Sequence, residues 1–183
     1  MMSTTHAAMG ATVAALFAPV APELAAIAAF AAIAGGAFPD LDVFFEHRKT
    51  LHYPEGYWLL PGLLLAVASA WPGNWTVAAV SFVGSAALHS ATDASGGGLG
   101  LRPWDRDDDR GVYVHRRGRW IRPRRWVRYD GAPEDLLAAA TFSVLPILVF
   151  EGAVRRVLFV ALGASMTYTA VRKRLPDAYE RLV

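Results

Sequence analysis

Trp75-Thr-Val-Ala-Ala-Val-Ser-Phe-Val-Gly-Ser-Ala-Ala-Leu-His-Ser-Ala-Thr-Asp93 has no proline and no fully charged residue before its last position. As a helix rising 1.5 Å per residue it spans about 28 Å, close to the ~30 Å hydrocarbon core of a bilayer. Ser81, Ser85 and Thr92 turn one face toward protein or water instead of lipid. His89 and Asp93 lie one turn apart on one face, with Cβ atoms about 5–6 Å from each other, close enough to share a metal ion.

Five more apolar blocks flank this one: Ala7 to Val20, Glu23 to Phe38, Gly56 to Trp71, Glu134 to Phe150 and Ala153 to Arg172. The pattern predicts an all-α, polytopic membrane protein of about six apolar helices. The first block is short and ends at the Pro19 and Pro22 turn, so the first two are expected to form a short hairpin that enters the bilayer without fully crossing it. It lacks the basic start of a signal peptide, since no Lys or Arg precedes Arg48.

The 183 residues suffice for a single membrane domain, and composition agrees: 54% are apolar against 19% charged, with a mean hydropathy of +0.29. Cysteine is absent. Disulfides, thiol nucleophiles and Cys-type zinc sites are excluded, so a metal here has only His and carboxylates to hold it.

Residues 95–133 differ in kind and read as an extramembrane insertion. Glycines 96–98 open it, Asp105, Asp107, Asp108 and Asp109 follow, and polar and apolar side chains then alternate on both sides of Arg117-Gly118, which predicts a β-hairpin. Of the 18 Lys and Arg residues, the Arg102 to Arg128 stretch holds ten. Pairing the apolar blocks in order puts the N-terminus, the loop 39–55, the insertion and the tail after Arg172 on one side, with only Arg155 and Arg156 opposite. By the positive-inside rule that crowded side is cytoplasmic, which predicts a multi-pass inner-membrane protein with both termini in the cytoplasm.

The same topology brings His6, Asp40, Asp42, His47, His52, His89 and Asp93 to one layer. Taken alone, Asp40 or Asp42 serves equally well as a helix cap, and His47 or His52 as an ordinary interfacial residue. Four imidazoles and three carboxylates from separated segments, in a chain with few other ionisable groups near the membrane, form a candidate site. His6, Asp40, Asp42, His52, His89 and Asp93 are the candidate metal ligands. His47 is the candidate general base or further ligand, and Arg48 the candidate grip on an anionic substrate. His115, in the basic hairpin, reads as a solvated strand residue.

Thr5-His6, Pro39-Asp40-Leu41-Asp42, the His-Arg-x-x-x-His element at His47 to His52, His89-x-x-x-Asp93 and the Gly-rich run into Leu101-Arg102-Pro103-Trp104 together resemble the YdjM-type family of membrane-associated metal-dependent hydrolases. The order and spacing match over about the first 105 residues. Lys49, Leu51 and Tyr53 stand where the family usually has Gly, Thr and Ser. The His and Asp pattern is also, more loosely, similar to that of zinc-dependent phospholipase C. The resemblance implies metal-dependent hydrolysis, with a phosphoester or lipid headgroup bond as the natural substrate and zinc, or else manganese, as the ion. The alternative is a non-enzymatic membrane protein with a structural metal, whose Arg-rich loop binds anionic lipid or nucleic acid; a loop that only fixes topology outweighs the nucleic-acid version. A transporter fits poorly, because the ionisable groups gather at one face and not at the midplane.

Overall fold

Two prolines set the first turn. Helix α1 spans Ser3–Phe17, and α2, Pro22–Ala37, begins with Pro22 in its first turn, where the missing N–H costs no hydrogen bond. The computed structural model describes residues 1–181 and is 69% helical with one small antiparallel sheet; Leu182 and Val183, the end of the expected single domain, lie outside the described residues. Past α2 the chain tightens into a 3-10 turn, Phe38–Phe44, that carries Asp40 and Asp42. The remaining helices are α3 (Leu59–Ala70), α4 (Asn74–Thr92), α5 (Pro133–Val149), α6 (Gly152–Val171) and a short α7 (Leu175–Glu180) within the expected tail.

Six helices thus stand where the six apolar blocks were read. Among the described residues, however, only two runs are long and apolar enough to cross a membrane, Pro22–Phe44 and Gly152–Glu180. Length and polarity explain the difference from six. At 1.5 Å per residue α1 reaches about 22 Å, α3 about 18 Å and α5 about 26 Å, and α4 spends much of its length on Ser, Thr and His.

Helix α2 packs between α1 and α4, α1 also packs on α5, α3 on α4, and α5 on α6. The contact between α1 and α2 is built of alanine: Ala11, Ala14, Ala15 and Ala18 meet Ala25, Ala28, Ala29 and Ala32, closed at one end by Phe150, Val154 and Leu158. Small side chains let backbones approach closely, and the approach is tightest at the end of α2. A Cβ on Gly35 would fall 2.1 Å from the Phe82 carbonyl oxygen, and one on Gly36 2.6 Å from that of His6. These two glycines let α1 and α4 close on α2 at the level of His6 and His89.

The N-terminal turn of α1 is pinned to α5 by a buried carboxylate. Asp135 accepts hydrogen bonds from the Met2 amide (2.8 Å), the Thr5 hydroxyl (2.7 Å) and the Gly131 amide (3.0 Å). Asp135→Ala strands these donors in the interior, so it is expected to lower stability by about 1–3 kcal/mol. Thermal denaturation of the purified protein checks this, with Thr5→Val expected to cost less.

In the insertion, β1 (Val112–Val114) and β2 (Arg119–Ile121) form the expected hairpin, with Tyr113 opposite Trp120 and Gly118 at φ +58° in the turn. The segment does not stand apart from the helices. Residues 124–127 run along the end of α4, with the amides of Arg124, Arg125 and Val127 bonded to the carbonyls of Ala94, Gly96 and Ser95.

Candidate metal centre

Four elements converge at one end of the bundle. Asp40 comes from the 3-10 turn after α2, His52 from the following loop, His89 from the last turns of α4 and Asp93 from just beyond it, and one ligand atom of each lies within 4.8 Å of all the others. The two imidazoles meet Nε2 to Nε2 at 3.1 Å. Asp40 Oδ1 is 3.3 Å from His89 Nε2, and Asp93 Oδ2 is 3.4 Å from His52 Nε2.

The outer nitrogens fix what faces inward. His89 Nδ1 is 2.6 Å from the Gly36 carbonyl oxygen, which only accepts, so His89 carries its proton there and directs the Nε2 lone pair into the cluster. His52 Nδ1 donates to Asp42 Oδ2 at 2.8 Å with the same result. Two lone pairs and two carboxylates therefore point at one another in a buried space. Such a group could hold a metal ion. Burial pushes the His52 imidazole down, but its hydrogen bonds to Asp42 and Asp93 outweigh burial and hold it up at about 9.

The donor set also fits a divalent ion. Tetrahedral zinc with ligand bonds of 2.0–2.2 Å separates its donors by about 3.3–3.6 Å; five of the six spacings across this cluster run from 3.1 to 3.9 Å, and all lie within 4.8 Å. Asp93 Oδ2 is buried between the cluster and the Arg48 guanidinium, whose Nε lies 2.8 Å away.

The other candidates surround this core in distinct roles. His6 is buried and stacks on His89 at 3.7 Å between ring centroids. Both its nitrogens are engaged, Nε2 with Asp93 Oδ1 (3.0 Å) and Nδ1 with the Thr92 hydroxyl (3.2 Å), so it holds Asp93 and stands outside the four. Asp42, read as a ligand, stands behind His52 instead. One of its oxygens takes His47 Nδ1 (2.9 Å) and the Arg48 amide, and the other takes His52 Nδ1 and the amides of Lys49 and Leu51. It orients two imidazoles at once, the outer-shell arrangement that fixes metal-ligating histidines.

Arg48 is buried, its Nε 2.8 Å from Asp93 Oδ2 and its Nη1 donating to the Gly97 carbonyl (2.6 Å). Its backbone sits at φ +59°, and three contacts hold it there: the Asp42 carboxylate on its amide, the Tyr113 amide on its carbonyl, and the guanidinium pairs. Side chains in this left-handed region are strained unless the surroundings fix them. His47, with Nε2 left as its lone-pair nitrogen, and Arg48 both line a cavity of about 520 Å³ beside the cluster.

His115, read as a solvated strand residue, is exposed but opens a 3-10 turn instead of lying in a strand. Its Nε2 lies 2.8 Å from the Lys49 carbonyl oxygen and 3.2 Å from that of His52, and its ring stacks on Tyr53 at 4.3 Å. The hairpin is therefore a brace on the loop that presents His52. No sequence signal could find this, because the contact joins segments 63 residues apart through backbone atoms. His115→Ala is expected to weaken metal binding by about threefold to tenfold while leaving the stoichiometry intact, measured by competition with a chromogenic chelator.

The guanidinium charge of the insertion is mostly committed within the chain. Arg102 pairs with Asp177 and Glu180, Arg110 with Asp108, Arg125 and Arg122 with Asp109, Arg128 with Glu134, and Arg117 with Glu55. Arg124 lies over the Trp126 ring. Compared with family models, curated proteins and solved structures, the chain matches none.

Proposed function

We propose that this protein is a metal-dependent hydrolase of the cytoplasmic membrane face, kin to the YdjM-type family, that cleaves a phosphoester such as a lipid headgroup bond. The observation that carries the reading is the meeting of two imidazole lone pairs and two carboxylates, buried yet next to a cavity of about 520 Å³. A purely structural metal site is closed by protein on all sides, whereas a hydrolytic one adjoins space for substrate. The membrane assignment draws on the two apolar runs, on the exposed apolar side chains of α3 and α6, among them Leu59, Leu63, Phe159 and Val160, and on the charge asymmetry, which by the positive-inside rule would favour both termini inside. Internal pairing of the Arg-rich segment speaks against a nucleic-acid surface.

Asp40, His52, His89 and Asp93 would hold the ion, with zinc favoured by the ligand types and spacings. When bound, it would supply Lewis-acid polarisation of a phosphoryl oxygen and an acidified water. The chain does the rest. Asp42 keeps His47 protonated at Nδ1, so that Nε2 accepts a proton from water in the cavity, and it stabilises the imidazolium that results. Arg48 adds positive charge at the cavity wall, and His6 keeps Asp93 from turning away.

The test is metal analysis of detergent-purified protein beside His89→Ala, followed by a screen of generic phosphodiester and phospholipid substrates with added zinc or manganese. The parent is expected to retain about one equivalent of a divalent ion and the variant none. A parent that takes up no metal even when it is supplied overturns the reading.

A further inference from the structure

The cavity beside the cluster has two unlike ends. Asp40, His47 and Arg48 form one wall, and Asp130, Tyr168 and Arg172 form the far one. On the far wall charge is cancelled: the Asp130 carboxylate accepts from the Tyr168 hydroxyl and from Arg172 Nε (2.9 Å) and Nη2 (3.1 Å). On the near wall an ion held by the cluster, together with Arg48, makes the surface attractive to an anion. The lining also holds the apolar side chains of Val43, Leu99, Leu101 and Ala164, with the hydroxyls of Ser3, Thr4 and Ser165.

The apolar part of this lining opens outward. Val43 and Leu101 line the cavity and are also exposed, and Leu41, Phe44 and Phe45 beside Val43 stand exposed as well. Both runs apolar enough to cross a membrane border the cavity, Pro22–Phe44 through Asp40 and Val43 near its end, and Gly152–Glu180 through Ala164 and Ser165 at its middle and Tyr168 and Arg172 beyond it. A site where two such runs reach their polar ends lies at the depth of lipid headgroups. A soluble phosphate ester would gain nothing from an apolar, outward-facing wall at that depth, whereas an amphiphile would bury its chains there at about 0.8 kcal/mol per methylene.

We infer that the cavity is the seat of a phosphoester-bearing membrane amphiphile, its phosphate against the Asp40, His47 and Arg48 wall and its apolar part along Val43, Leu99, Leu101 and Ala164. The inference rests on the metal-centre reading above and names the substrate class of that centre.

The test is binding, measured by calorimetry on zinc-loaded protein in amphipol, with dihexanoylphosphatidylglycerol below its micellar concentration and with glycerophosphoglycerol, the same phosphodiester without its chains. The parent is expected to bind the lipid at least tenfold more tightly than glycerophosphoglycerol. Ala164→Trp, which fills the cavity, and Val43→Asp, which charges its apolar wall, are each expected to weaken lipid binding at least tenfold while zinc uptake, the check on folding, is unchanged. Equal affinity of the parent for the two probes, or undiminished lipid binding by a variant that still takes up zinc, overturns the inference and leaves the metal centre standing. A parent that takes up no zinc removes the metal centre and this inference with it. If neither variant takes up zinc, the comparison of the two probes on the parent decides.

Discussion

Asp93→Ala is expected to abolish metal uptake and to lower the apparent melting temperature by roughly 6–20 °C, the equivalent of about 3–5 kcal/mol in a chain of this size. The effect is large because Asp93 serves several partners at once. Its Oδ2 faces the cluster and Arg48 Nε, while Oδ1 receives His6 Nε2 (3.0 Å) and the Met1 amino group (2.9 Å), all in the interior. Truncation leaves the Arg48 guanidinium buried beside no carboxylate, and an unpaired buried charge costs more than the lost attraction. A double variant separates the two consequences. Arg48→Met in the Asp93→Ala background removes the stranded charge and is expected to recover part of the melting temperature, but none of the metal binding. Additive losses in the double variant would mean that Arg48 is held by something other than Asp93.

The helices were legible because their apolar blocks are long and bounded by Pro and Gly, at Pro22, at Pro72-Gly73 and at Pro133. How many of them cross a bilayer was less so: an apolar block and a membrane span look alike in composition, and although the shortness of the first block was legible, only the helix ends show that α3 is too short. The candidate site was legible as a layer. Topology alone set His6, Asp40, His52, His89 and Asp93 at one end of the bundle, because hydrophobic helices leave their ionisable groups only at the ends. What spacing could not sort was rank within the layer. Asp40 and Asp42 are two residues apart and chemically alike, yet a 3-10 turn sends one to the Nε2 side of His52 and the other to its Nδ1 side. The loop backbone needs no glycine at position 49, since the left-handed residue is Arg48. The bracing by His115 was out of reach, because it depends on where a distant hairpin lands.

The second large effect belongs to a residue with no side chain. Gly36→Val is expected to reduce metal affinity at least tenfold and to destabilise the protein by at least about 3 kcal/mol. In an exposed helix interior, replacing Gly by a residue of better propensity gains up to about 1 kcal/mol, so propensity alone predicts slight stabilisation. Space reverses the sign. A Cβ on Gly36 falls 2.6 Å from the His6 carbonyl oxygen and 2.8 Å from Ala7 Cα, both backbone atoms of α1 that cannot turn aside as a flexible side chain would. Overpacking of this kind costs about 1–3 kcal/mol for small additions, and valine adds two further methyl groups at the same point. The site is disturbed with the packing, because the Gly36 carbonyl accepts the His89 Nδ1 proton and α1 carries the His6 ring stacked on His89. Pushing α1 outward moves His6 from Asp93 and frees His89 to rotate its Nε2 out of the cluster. Ala34→Val, two residues earlier on an exposed position of α2, is the control and is expected to change neither quantity measurably. Zinc titration and thermal denaturation of the two variants decide the matter: a Gly36→Val protein with parental metal affinity would show that the close approach of α1 to α2 does not set the geometry of the centre.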